Sequence, residues 1–149
     1  MKLTDISQCI EVNCEMLTEN YERDFWMETF NKGKLISFVA LWANKVIGYI
    51  LCFPGMVVSF AVLTKYQGHG IGTALMKCVL STHSGDITLN ARVSNHLAVK
   101  LYQRLGFSIV NRVPNYYHSG TGHEDAYEMK ASCNIIPISL PQKMNVNIV

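Results

Sequence analysis

The run Tyr66-Gln67-Gly68-His69-Gly70-Ile71-Gly72-Thr73 follows one apolar stretch and opens another, and its composition suits a diphosphate cradle. Gly68, Gly70 and Gly72 admit left-handed torsions and close main-chain approach. The amides at the start of a following helix, with the positive end of its dipole, attract anions. For bare glycines the alternative is a tight strand-to-helix turn. Two other phosphate loops fail on spacing. A nucleotide-hydrolase loop needs G-x-x-x-x-G-K-[ST], whereas Thr73 follows Gly72 directly. A dinucleotide fold opens its first βαβ unit with G-x-G-x-x-G and carries an acid about 20 residues on. Here the run lies mid-chain, and Asp86 alone is a weak match.

Other residues with chemical potential point away from metal and thiol chemistry. The five cysteines at 9, 14, 52, 78 and 133 are odd in number and form no C-x-x-C pair, so a reducing cytoplasm is expected. No cationic segment followed by an apolar core opens the chain, and secretion is not expected. His69, His83, His96, His118 and His123 lack metal-ligand spacing with the cysteines, and no metal site is expected. Cys52 and Cys78 read as core filling.

The 149 residues fit one domain with a sizeable core, and a formal charge of +2 argues against nucleic acid as partner. Residues 46–63 form 18 uncharged positions, the lower edge of a membrane-spanning helix. Pro54-Gly55 splits them into two β-branched and aromatic runs, which predicts a β-hairpin and no membrane partner. Asp5, with Gln8 three residues on, predicts a capped helix whose apolar face carries Ile6, Cys9, Ile10, Cys14 and Leu17. A second helix is predicted over 22–31, stopped by Gly33. Strands follow over 35–42, 46–53 and 56–63, then the glycine loop and a helix over 71–81. A strand over 87–93 leads to a helix capped by Ser94 or Asn95 and ended by Gly106. Strands over 107–113 and 125–131 complete the set, with a loop over 115–124 between them. The tail beyond Cys133, with Pro137 and Pro141, shows no period, so a domain over 1–131 and a tail over 132–149 are expected.

Two patterns then carry a family likeness. Val62-x-x-x-Tyr66-Gln67-x-x-Gly70-Ile71-Gly72 precedes Asn95-x-x-Ala98-x-x-Leu101-Tyr102-x-x-Leu105-Gly106-Phe107. Together they resemble the GNAT superfamily of acetyl-CoA-dependent N-acetyltransferases. More narrowly, Asn115-Tyr116-Tyr117 with Gly122-x-Glu124-Asp125-Ala126-x-x-Met129 resembles the RimI type and the catalytic subunits that acetylate protein N-termini. Thr18-Glu19-Asn20-Tyr21 is similar to the first helical hairpin of the latter. The resemblance implies an α/β fold with a mixed, mostly antiparallel sheet of about six to seven strands flanked by about four helices. Its central strands are expected to splay where acetyl-CoA enters.

The resemblance also implies roles. Phe60, Ala61 and Val62 would pair with the pantetheine arm and aim an N–H at the thioester oxygen. Gln67, Gly68, His69, Gly70, Ile71, Gly72 and Thr73 would hold the diphosphate. Asn95 would touch the cofactor arm, and Tyr102 would donate a proton to the leaving thiolate. Glu19, Tyr21, Tyr116 and Tyr117 would border the acceptor, although a Tyr pair after Pro114 equally suits loop anchoring. In this chemistry a neutral amine attacks the thioester, and a buried backbone donor stabilises the oxyanion by about 3–4 kcal/mol. No covalent enzyme intermediate is needed.

The chain departs from the family pattern at Asn90, where a glutamate or histidine serves as base; an amide accepts no proton. Glu19, Tyr66 and Tyr116 are the alternative bases, acting through water. An α-amine with pKa near 8 is roughly a tenth neutral at pH 7, against about 1 in 2,500 for a lysine-like amine, so a weak base is better tolerated with α-amines. Charge pulls the other way. Residues 1–30 carry net −5 and residues 31–149 net +7, and Glu11, Glu15 and Glu19 are spaced four apart. That acidic lip could attract a polyamine or basic peptide, or be a solvated helix face. Glu124 and Asp125 are expected to cap a turn, and Trp26 and Trp42 to lie in the core.

These readings converge on a cytoplasmic acetyl-CoA-dependent N-acetyltransferase, a monomer or weak dimer, whose acceptor is a peptide N-terminal α-amine. The alternatives are a polyamine acceptor or a non-catalytic coenzyme A-binding module.

Overall fold

A computed structural model describes residues 1–31, 36–119, 122–133 and 147–149. Helices α1 (Ile6–Met16) and α2 (Arg23–Asn31) precede the antiparallel strands β1 (Ile36–Trp42), β2 (Lys45–Phe53) and β3 (Met56–Val62). Helix α3 (Ile71–Thr82), β4 (Gly85–Arg92), α4 (His96–Arg104), β5 (Ser108–Ser119), β6 (Gly122–Cys133) and β7 (Asn147–Ile148) follow. One sheet runs in the order β5-β6-β4-β3-β2-β1-β7.

The 46–63 segment is the expected hairpin, with Phe53 opposite Met56 across Pro54-Gly55. Gly55 takes φ +81°, which proline-glycine turns require at the glycine. Each face of β2 is covered. Ile47, Ile50 and Cys52 pack with Leu75, Met76 and Val79 of α3. Val46, Tyr49 and Leu51 pack with Ile6, Cys9 and Val12 of α1 and Trp26 of α2. This two-sided burial explains why β2 reads as a nearly continuous apolar run.

Strand β3 breaks period-2 alternation. Leu51 lies opposite Ser59 and Cys52 opposite Val57, so Val58 is the extra residue of a β-bulge. Val57, Phe60 and Val62 therefore share the α3 side, while Ala61 faces α1. β3 and β4 are the only parallel neighbours among the described strands, and they join by a single rung, Met56 to Thr88. The Thr88 amide donates to the Gly55 carbonyl at 2.9 Å. Beyond that rung the two strands part, as the splayed sheet anticipated.

Several boundaries differ from expectation. Asp5 accepts from the Lys2 amide at 2.6 Å and makes no side-chain bond to α1. Gln8 instead accepts from the Val46 amide at 2.9 Å and ties α1 to β2. α1 ends at Met16, so Glu19 does not continue the helix face of Glu11 and Glu15. β5 and β6 extend through much of the expected loop. Ser132 and Cys133 belong to β6, and Asn147-Ile148 pair with Leu41 and Ala40 at the edge of β1. Main-chain pairing of that kind needs no side-chain period. Trp42 is 47 % exposed, whereas Trp26 is 2 % exposed as expected of core. Gly33, Leu35, Pro137 and Pro141 lie outside the described residues.

A buried polar relay joins the two layers. Tyr49 Oη and Ser59 Oγ share a hydrogen bond of 2.7 Å, and Asn13 Nδ2 donates to the same phenol at 2.9 Å. Removing the hydroxyl strands two buried groups, which costs about 1–3 kcal/mol. Tyr49→Phe should therefore lower the urea-unfolding midpoint by that free energy, although the substituted ring keeps its packing on Trp26.

Candidate active site

Where β3 and β4 part, a cavity of about 500 Å³ opens. Its walls come from β3 (Met56 to Phe60), β4 (Leu89 to Arg92), α4 (Asn95, Ala98, Tyr102), the loop after α1 (Leu17, Glu19, Tyr21) and β5 (Tyr116 to His118). Of the expected site residues, Glu19, Tyr21, Phe60, Asn90, Asn95, Tyr102, Tyr116 and Tyr117 thus meet at one cavity. Tyr66 does not line it. Its ring lies 5.8 Å from that of Trp42.

The glycine loop stands at the end of β3. Gly68 and Gly70 adopt φ +74° and +81°, and Gly70 is the N-cap of α3. The first helical bond runs from the Ala74 amide to the Gly70 carbonyl at 2.9 Å. The amides of Ile71, Gly72 and Thr73 therefore have no intrahelical acceptor, as at every helix start, and can receive an anion. Gln67 and His69 brace the loop: Gln67 Nε2 donates to the Val62 carbonyl at 2.9 Å and His69 Nδ1 to the Gln67 carbonyl at 2.7 Å. Gly72 has a packing reason as well, since a Cβ there would stand 3.1 Å from Phe60 Cζ. Ala61 and Val62 are buried opposite Tyr49 and Gly48 in the β2 ladder.

Asn95 caps α4, its Oδ1 accepting from the Ala98 amide at 3.1 Å. Tyr102, seven residues further along the chain, is 8 % exposed. Its ring lies 6.4 Å from Phe60 and 5.9 Å from Phe107. Burial pushes its phenol well above the ordinary range, so the group stays protonated and is suited to donate. Phe60 thus links the glycine loop to Tyr102.

The other wall of the cavity is organised by β4. Period 2 puts Asn90 and Arg92 on one face. Asn90 Nδ2 donates to Tyr116 Oη at 3.0 Å, and Tyr117 Oη donates to the Asn90 carbonyl at 3.1 Å. Arg92 pairs with Glu19 and, at 2.8 Å, with Glu124, while its guanidinium lies 4.2 Å over the Tyr117 ring. Glu19 Oε1 also accepts from the Thr18 hydroxyl at 2.9 Å. A wide bulge sets the tyrosines. Between Val113–Ala126 and Tyr117–Glu124, β5 has three residues where β6 has one, Asp125. Asn115 sits at φ +51°, with its amide donating to Asp125 Oδ1 at 2.9 Å. Glu124 and Asp125 therefore brace turns, as anticipated.

Arg92 and His118 line the cavity without having been singled out in the sequence. For Arg92, the spacing two residues after Asn90 was the available signal, but its partners lie 73 and 32 residues away.

The cavity between parted strands, beside a glycine-opened helix, has the architecture of coenzyme A-dependent acyltransferases. Residues 3–107 match the Acetyltransferase (GNAT) family, and the chain belongs to that family. It is similar to an N-alpha-acetyltransferase of Sulfurisphaera tokodaii, at 36% identity over 151 aligned positions covering 87% of this chain and 89% of the relative. The fold is also that of the ribosomal-protein-S18-alanine N-acetyltransferase of Escherichia coli, with TM-score 0.83, 21% identity and coverage of 95% and 96%. Arabidopsis thaliana Naa50, solved in complex with a bisubstrate analogue, gives TM-score 0.77 at 24% identity, covering 89% and 95%. The protein is an acetyl-CoA-dependent N-acetyltransferase. No helix among the described residues is long and apolar enough to cross a membrane.

The Ser94 hydroxyl and amide, with Arg92, hold the Glu124 carboxyl down at about 2. A depressed folded value stabilises fully above the ordinary 4.5 and is lost as pH falls through about 2. The gap in urea midpoint between wild type and Glu124→Gln should thus be constant above pH 4.5 and close between 4.5 and 2.

Proposed function

We propose that the acceptor is the α-amine at the N-terminus of a protein or peptide. The observation that carries this reading is the charge state of the acceptor cavity. Among the described residues lining it, Glu19 is the one carboxylate, and Arg92 is bound to it. A polyamine needs several unneutralised carboxylates along its length; this cavity instead offers hydroxyls and amides from Tyr21, Tyr116, Tyr117 and Asn90, which suit a peptide backbone. The N-alpha-acetyltransferase relative supports the same reading, as does Naa50, whose analogue is CoA-Ac-MVNAL.

When bound, acetyl-CoA supplies a thioester carbonyl for the amine to attack. The chain's residues position and protonate. The amides of Gly68 to Thr73 hold the diphosphate, and Asn95 and the freed edge of β3 at Phe60, Ala61 and Val62 align the pantetheine arm. A main-chain N–H on the β3 edge at the gap stabilises the developing oxyanion. Tyr102 protonates the leaving thiolate. Glu19 and Arg92 hold the loop bearing Tyr21 against the acceptor. Five free cysteines fit a cytoplasmic setting.

Thiol release from acetyl-CoA with Met- and Ala-starting peptides, spermidine and putrescine ranks the acceptors. Peptides should turn over fastest, and faster turnover of either polyamine would refute the assignment. Tyr102→Phe should lower kcat on the order of a hundredfold while leaving acetyl-CoA affinity by calorimetry nearly unchanged.

A further inference from the structure

Acetylation of an ammonium releases a proton, and most groups around the acceptor cavity are unfit to take it. Asn90 is an amide. Glu19 Oε1 already accepts from Arg92 and Thr18. Glu124, behind Arg92, titrates at about 2 and is too weak a base. Burial raises the phenols of Tyr21 and Tyr117, so both stay protonated, and the Tyr116 hydroxyl is engaged by Asn90. His118 lines the same cavity. It stands directly across the β5–β6 ladder from His123, with Nδ1 to Nδ1 at 2.6 Å and rings nearly perpendicular at 88°.

We propose that this imidazole pair is the general base of the acceptor site, His118 receiving the proton and His123 positioning its ring. At 2.6 Å one proton lies between the two Nδ1 atoms. When His118 donates it, the lone pair of His118 Nε2 is the acceptor on the cavity-lining residue, and the tautomer is fixed by the partner. A proton arriving at Nε2 makes an imidazolium whose Nδ1–H is already held by His123, a charge-assisted bond. His123 thus does with a neutral nitrogen what a carboxylate does for histidine in hydrolytic triads.

The proton balance closes. The ammonium gives one proton to His118 Nε2, directly or through one water. The neutral nitrogen bonds the thioester carbonyl carbon, the C–S bond breaks, and the thiolate takes the Tyr102 hydroxyl proton. A second nitrogen proton then restores Tyr102, and His118 releases its proton to solvent. Among the described residues, the charged and titratable groups around the cavity are Glu19, Tyr21, Arg92, Tyr102, Tyr116, Tyr117 and Glu124, and both carboxylates are bound to Arg92.

This assignment rests on the α-amine reading, and the acceptor panel on wild type judges that reading separately. The base is then tested with the fastest acceptor of the panel, whichever it is. For His118→Gln, kcat/KM should fall on the order of tenfold or more near pH 6.5. The deficit should shrink as pH rises past the acceptor amine's own pKa, about 8 for an α-amine, where the amine deprotonates unaided. His123→Gln should show the same pH-dependent deficit in smaller measure, the double variant should be no worse than His118→Gln, and KM for acetyl-CoA should not move. With His118→Ala, free imidazole should restore rate at low pH. A deficit equal at every pH, no deficit, or no response to imidazole would each overturn the proposal.

Discussion

The whole site depends on two strands being held together at one end only. β3 and β4 share the rung at Met56 and Thr88, after which their edge groups face a gap and not each other. A gap in a sheet is costly unless other contacts keep its sides apart. Here β3 is fixed on its far side by the β2 ladder and the Tyr49 to Ser59 bond. β4 is fixed by an unbroken antiparallel ladder from Gly85 to Arg92 against β6. α4, capped by Asn95, lays Tyr102 across the opening.

The opposite wall of the cavity uses a different constraint, convergence of charge. Arg92 draws together a loop from the first quarter of the chain, a strand from the last, and the ring of Tyr117. The loop lies about 90 residues from the β5–β6 hairpin that carries the other two. Exposed ion pairs contribute little stability singly, so the value of this cluster lies in orientation: it sets where Tyr21 and the tyrosine pair stand. The same Asp125 that closes the β5 bulge through the Asn115 amide pairs with Arg112 at 2.8 Å, which keeps the extra residues ordered beside the cavity.

Local rules made much of this legible. Pro54-Gly55, Gly70 and Gly106 require the turns they make, Asn95 caps the helix it precedes, and the apolar runs of β2 and β3 are buried strands. What stayed hidden depends on bonds between distant residues. The Val58 bulge inverts the faces of β3 with no marker in its sequence. Pro114 and Asn115 signal a turn, yet Asp125 supplies the bond that lets β5 continue past them. Glu11, Glu15 and Glu19 keep a helical interval, but Leu17 is extended and ends the helix first. Tyr66 carries a family-like position, while Trp42 at the end of β1 is what its ring meets. The pairing of His118 with His123 follows from β-ladder register alone, which no spacing rule supplies.

Strand order also decides how this sheet meets other chains. Asn147-Ile148 occupy one margin by pairing with β1, which leaves β5 as the other. An open margin invites a neighbouring chain to add a strand and start a polymer. Along β5, Pro114 lacks an amide to donate, Asn115 twists the backbone, and Arg112, paired with Asp125, still leaves 60 % of its side chain exposed. The irregularity that brings two tyrosines to the cavity therefore also makes this margin a poor template for an added strand.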